Sequence, residues 1–188
     1  MPAVRVRWER LDAPGSDAAK LYQLKRTWHI QGNLESVAEG MPVRIAYHVG
    51  CGADWSTRAF RVSVRSGDSR RRLGLVIDAE RRWFLRGKER PDLAGCTDVD
   101  LFPTPATNTA PIRRLGLEVG ASAEVLAAWV RAPELVVAPL RQRYTRLAQD
   151  RYRYESLGSG FTAEITVDEH GLVIDYPGFW ARAPGSVP

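Results

Sequence analysis

From Val4 onward the chain alternates between apolar and polar positions. Val4, Val6 and Trp8 fall on one side and Arg5, Arg7 and Glu9 on the other. The same period of two recurs in Val43–Val49, Trp55–Val64, Leu73–Ile77, Trp83–Leu85, Tyr152–Ser156, Phe161–Val167 and Leu172–Tyr176. Such alternation marks half-buried strands, and the Gly, Pro and Asp residues between the runs read as turns. Leu21–Ile30 reads as one continuous strand with Tyr22, Leu24, Arg26, Trp28 and Ile30 on one face. Leu135–Arg141 and Arg143–Ala148 read as two strands. In Glu124–Arg131 helix competes, because Ala and Leu favour it; the shortness of the run and Pro133 favour a strand. Leu11–Ala18 and residues 181–188, rich in Pro, Gly and Ser, read as a linker and a loose tail.

The pattern changes only in Gly95–Gly116, GCTDVDLFPTPATNTAPIRRLG. Strand-like Cys96–Phe102 sets Asp98 and Asp100 two apart, on one face of an extended segment. Pro103, Pro105 and the Thr/Asn cluster stop the strand. Asn108 or Thr109 is placed to cap a short helix entered at Pro111 and closed by Gly116. Ile112 and Leu115 would face a core, with Arg113 and Arg114 splayed to either side. Two carboxylates and two guanidiniums therefore meet at one junction. They either line a pocket, where carboxylates accept hydrogen bonds from sugar hydroxyls, or neutralise one another and lock the helix to the sheet.

Several runs together resemble one bacterial family: the central stretch above, W-x-T-R at Trp55–Arg58, RQRYTRL at Arg141–Leu147, RYRYES at Arg151–Ser156 and VDEHGLVIDYPG at Val167–Gly178. The family is the glycolipid-binding one, formerly a domain of unknown function. The resemblance implies a mainly β fold: one large, strongly curved antiparallel sheet, a roll or half-barrel, wrapped around a single short helix and distantly similar to lipoprotein-localisation factors. The chain departs from the family's motif at Ala106 and Ala110, where larger apolar residues are expected. A weak internal repeat is visible as well. MPVRIAYHV echoes SAEVLAAWV, and LGLVIDAERRWFL echoes AEITVDEHGLVID, aligning Asp78 with Asp168. Residues 1–180 read as a single β domain with two similar halves, about 20–102 and 117–180, joined through 103–116.

Composition narrows the function. A 188-residue chain that is 44% hydrophobic and 26% charged has the make-up of a globular domain. It contains no long apolar run and its first ten residues are charged, so cytoplasmic residence is expected. Cys51 and Cys96 lack metal-ligand spacing, the three histidines are scattered, and neither a metal nor a cofactor is expected. No nucleophile motif or phosphate loop is present, which argues against an enzyme. The leading reading is a non-catalytic binding protein for a glycolipid or related sugar–lipid amphiphile, with Asp98, Asp100, Arg113, Arg114, Gln142 and Tyr144 as candidate contacts. The net charge of +5 and pI of about 9.6 leave nucleic acid as an alternative partner. A small hydrolase using the Asp98/Asp100 pair is the third reading. Arg-flanked strand edges around Leu73–Ile77 and Trp83–Leu85 point to a homodimer.

Overall fold

The computed structural model describes residues 2–185. In chain order the strands are β1 (Val4–Arg10), β2 (Gly15–Leu24), β3 (Thr27–Ala38), β4 (Met41–Cys51), β5 (Thr57–Ser66), β6 (Ser69–Ile77), β7 (Trp83–Leu85) and β8 (Lys88–Glu89). Then come β9 (Asp98–Phe102), the helix α1 (Thr109–Leu115), β10 (Ser122–Arg131), β11 (Val136–Arg146), β12 (Arg151–Ser156), β13 (Phe161–Val167), β14 (Val173–Tyr176) and β15 (Trp180–Arg182). Short 3-10 turns occupy Pro91–Leu93 and Ala106–Asn108. All fifteen strands form one curled sheet that does not close into a barrel, in the order β8-β7-β6-β5-β4-β3-β2-β1-β15-β14-β13-β12-β11-β10-β9.

Each half of this order is a meander of hairpins, as the alternating pattern requires. The halves are joined by the pairing of β1 with β15. After β8, at one end of the sheet, the chain crosses to β9 at the other end. Curling brings the ends together: the Thr57 amide donates to the Thr97 carbonyl at 3.1 Å, and the Val99 amide donates to the Thr57 hydroxyl at 3.1 Å. Every neighbouring pair is antiparallel except β9 and β10, which run parallel. A parallel pair needs a crossover of a dozen or more residues, and residues 103–121, carrying α1, supply it. The helix lies inside the curl, with Thr109, Ala110, Pro111 and Ile112 buried. Gly116 ends it in the left-handed conformation, φ +53°, its amide donating to the Ile112 carbonyl.

Five details differ from expectation; Gly15–Ala18, read as part of a linker, open strand β2. Leu21–Ile30 is a hairpin, turning at Lys25–Arg26 with Leu24 opposite Thr27. A two-residue loop moves even-numbered positions on one strand opposite odd-numbered ones on the next. Tyr22 therefore shares the outer face with His29, while Leu21 and Ile30 share the core. Residues 136–146 form one strand rather than parts of two. Asn108 does not cap α1: its amide donates to the Pro105 carbonyl, because the 3-10 turn runs straight into the helix, and Thr109 Oγ1 has no partner. Ala181 and Arg182, read as tail, belong to β15, while 186–188 lie outside the described residues.

Candidate functional site

Strand β9 carries Asp98 and Asp100 on one face, and their surroundings separate them. Asp98 is fully buried. It accepts Arg114 Nη2 at 2.6 Å, Arg114 Nε at 3.1 Å and the Thr97 hydroxyl at 2.7 Å. The guanidinium comes from the last turn of α1, so this fork fastens the helix to the sheet. Asp100 has no cation. It accepts Gln142 Nε2 at 2.6 Å and the Thr107 hydroxyl at 3.2 Å. Burial pushes its carboxyl up to about 6, against the pull of those two hydrogen bonds. The two carboxyls are therefore not equivalent: Asp98 is engaged by Arg114 and Asp100 by neutral donors.

Asp100 borders a cavity of about 470 Å³ at one end of the curled sheet. Its walls are aromatic: Phe102 and Trp129 stand on the β9–β10 side, Tyr154 and Phe161 on β12–β13, and Phe179 and Trp180 at the β14–β15 turn. Tyr176, Phe161 and Phe179 meet edge-on or tilted, with centroids 5.4–6.5 Å apart. Polar groups enter from Asp100, Thr104, Asn108, Ser156 and Ser159. Size and lining fit a site for a small amphiphile, since ligand pockets of about 300–1,000 Å³ combine apolar walls with a few placed polar groups.

A further buried carboxylate lies behind Thr104. Asp17 on β2 is fully buried and accepts the Tyr47 hydroxyl at 2.8 Å and the Thr104 hydroxyl, while its Oδ1 has no partner. Burial raises its carboxyl to about 6. Tyr47 reaches across β3 at Gly32, where an added Cβ would stand 2.2 Å from the tyrosine oxygen. The segment 103–108 therefore touches two carboxylates without cations, through Thr104 and Thr107.

Of the six candidate contacts, Asp100 alone borders the cavity. Gln142 stands behind it as a buried donor, and Tyr144, also buried, donates to Asn108 Oδ1 at 2.9 Å. Arg113 points elsewhere, over the Trp55 ring at 5.4 Å and to the Glu169 carbonyl. Trp129 is a wall residue, and the contributions of Phe161, Phe179 and Trp180 carry no local signal in the sequence. Ala106 and Ala110 are buried in the core. Among the described residues, no cluster of three or more His, Cys, Asp or Glu could hold a metal ion.

The family profile described as "Putative glycolipid-binding" matches residues 5–182. Among solved structures, a DUF1089-family protein from Pseudomonas aeruginosa is 40% identical to this chain. It superposes with a TM-score of 0.82, over 90% of this chain and 92% of that one. A search of curated proteins finds no match.

Proposed function

This chain belongs to the glycolipid-binding family, and from that premise we propose that it is a non-catalytic binding protein for a glycolipid or a related sugar–lipid amphiphile. The observation that carries the reading is Asp100, a carboxylate without a cation at the edge of an aromatic cavity. A carboxylate held by two donors keeps lone pairs for the hydroxyls of a bound sugar. Trp129, Phe161 and Trp180 offer flat apolar faces to the sugar ring and the first part of a chain. In this reading Gln142 and Thr107 orient the acceptor, and Asp98 with Arg114 anchors the helix that follows Thr107.

Titration with octyl glucoside below its micelle concentration tests the proposal, read by fluorescence of the cavity tryptophans. Saturable binding is expected, and Asp100→Asn should weaken it by about tenfold or more, since an unpaired buried polar group costs about 1–3 kcal/mol. Equal binding by wild type and Asp100→Asn, or no binding at all, would refute the assignment. Native mass spectrometry of protein from its own host then identifies the resident molecule.

Two coarser expectations enter the proposal. Cys51 and Cys96 are unpaired and buried, and burial pushes both thiols up to about 12; inert reduced thiols support a cytoplasmic setting. No helix among the described residues is long and apolar enough to cross a membrane. Homodimerisation keeps one ground. Edge strand β8 is only two residues long and β9 lies beside β5, but Met41, Phe102 and Val136 leave apolar surface uncovered. Sedimentation at micromolar concentration should give twice the 21.0 kDa chain mass, and a single 21.0 kDa species would rule the dimer out.

A further inference from the structure

The outer face of β4, β5 and β6, with the β7–β8 turn, gathers three arginines around one depression. Some exposed arginines elsewhere have a carboxylate partner, as Arg82 has Asp78, Arg141 has Glu124 and Arg153 has Glu164. On this face Arg61, Arg72 and Arg86 border one depression of about 550 Å³ and, among the described residues, make no ion pair or hydrogen bond. Strand register explains their convergence. His48 stands opposite Arg61 and Arg61 opposite Gly74, while in the next row Ala46 stands opposite Ser63 and Ser63 opposite Arg72. Gly74 and Ala46 leave the middle of the face low, and the longer side chains rise around it. Arg86 comes from the β7–β8 turn, where its φ of +52° is a conformation that Asn or Gly adopts more readily.

We propose that this depression is a binding site for an anion bearing two or more phosphate groups. Every charged side chain that borders it is cationic, and the remaining polar groups, Gln31, His48 and Ser63, can each donate a hydrogen bond. Three guanidiniums around one hollow repel each other unless an anion lies between them, and planar guanidinium forks match phosphate oxygens in pairs. Burial first, then the neighbouring His29 and the positive charges of Arg61 and Lys20, hold His48 below its ordinary value. The convergence on one hollow favours a compact oligophosphate over a polymer lying along the sheet. The site lies on the opposite face of the sheet from the core, so it is separate from the amphiphile cavity and shares no lining residue with it.

Inorganic pyrophosphate is the probe, titrated into the full chain and followed by calorimetry and by amide shifts of β4–β6. Saturable binding is expected at physiological salt, stronger than that of inorganic phosphate. Arg61→Gln and Arg72→Gln, both exposed changes, should each weaken it about tenfold. Arg86→Gly removes the third guanidinium while suiting the turn, and should do the same without loss of thermal stability. Absence of saturable binding, or binding unchanged in the Arg61/Arg72 double variant, overturns the proposal. A short single-stranded oligonucleotide or anionic vesicles binding with a steep salt dependence, and not displaced by pyrophosphate, would also overturn it in favour of an extended polyanion surface.

Discussion

Asp98 and Asp100 are two residues apart and do different work. Removing the charge of Asp98 leaves the Arg114 guanidinium, itself largely buried, without its partner. Asp98→Asn is expected to lower unfolding stability by about 3–5 kcal/mol, as for a broken buried ion pair. Asp100→Asn should cost far less and act on ligand retention instead. Chemical denaturation of both variants decides this, and equal losses would return the two to a single role. Asp17 and Asp100 also make stability depend on pH. Their folded carboxyls titrate near 6 against an ordinary 3.8, so the native state holds protons that the unfolded chain has already lost. Stability contributed by each group is greatest below pH 4 and declines as pH rises to 6, by up to about 3 kcal/mol per group. Asp17→Asn should flatten that decline, which urea midpoints measured across about pH 4–6.5 would reveal. An unchanged slope would place the ionisation outside the buried niche.

At the scale of elements, two hairpin turns are built to one plan. In the β6–β7 hairpin the Asp78 amide donates to the Arg82 carbonyl and Asp78 Oδ1 accepts the Arg82 amide; Arg81 has φ +66°. In the β13–β14 hairpin Asp168 does the same with Leu172, and Gly171 has φ +79°. The aligned aspartates of the sequence repeat thus perform one structural task. Strand β3 depends on a different device. Gly32→Ala would drive a methyl group into Tyr47 and is expected to destabilise by about 1–3 kcal/mol. Gly74→Ala, whose new Cβ would stand 3.8 Å from the nearest backbone oxygen, should lie within about 0.5 kcal/mol of wild type and serves as the control. Thermal melts of the pair test the close approach.

For the whole molecule, continuity of the sheet rests on a short seam. Strand β15 has three residues and pairs with β1 and β14. Trp180 at its start is buried and donates to the Pro103 carbonyl at 2.7 Å, tying the seam to the segment that precedes the helix. Trp8 and Arg182 both donate to the Val173 carbonyl and hold β14 against it. Trp180→Ala is expected to cost about 3–5 kcal/mol. Trp129→Ala, on a half-buried cavity wall, should cost less. A reversed order in denaturant unfolding would show that the seam is not where the halves depend on each other.

The sequence by itself determined the local grammar. Alternation in Val4–Glu9, Val43–Val49 and Phe161–Val167 specified strands because one face had to be apolar, and Pro103, Pro105 and Gly116 bracketed the single helix. It concealed the turn at Lys25–Arg26, since Tyr22 and Leu24, apolar residues on the outer face of β2, continue the parity of Trp28 and Ile30 on the core face of β3. The short strand β15 has too few positions to show a period. Only the tertiary structure decided the site. Spacing alone placed Asp98 and Asp100 on one face, but the crossover from β9 to β10 delivered Arg114, on the helix, to the first and Thr107, in the preceding 3-10 turn, to the second. Curling of the sheet then brought Trp129, Phe161 and Trp180, from three distant strands, around one cavity. Pattern reports which way a side chain points relative to its own strand, whereas what it meets there depends on long-range closure that no local period encodes.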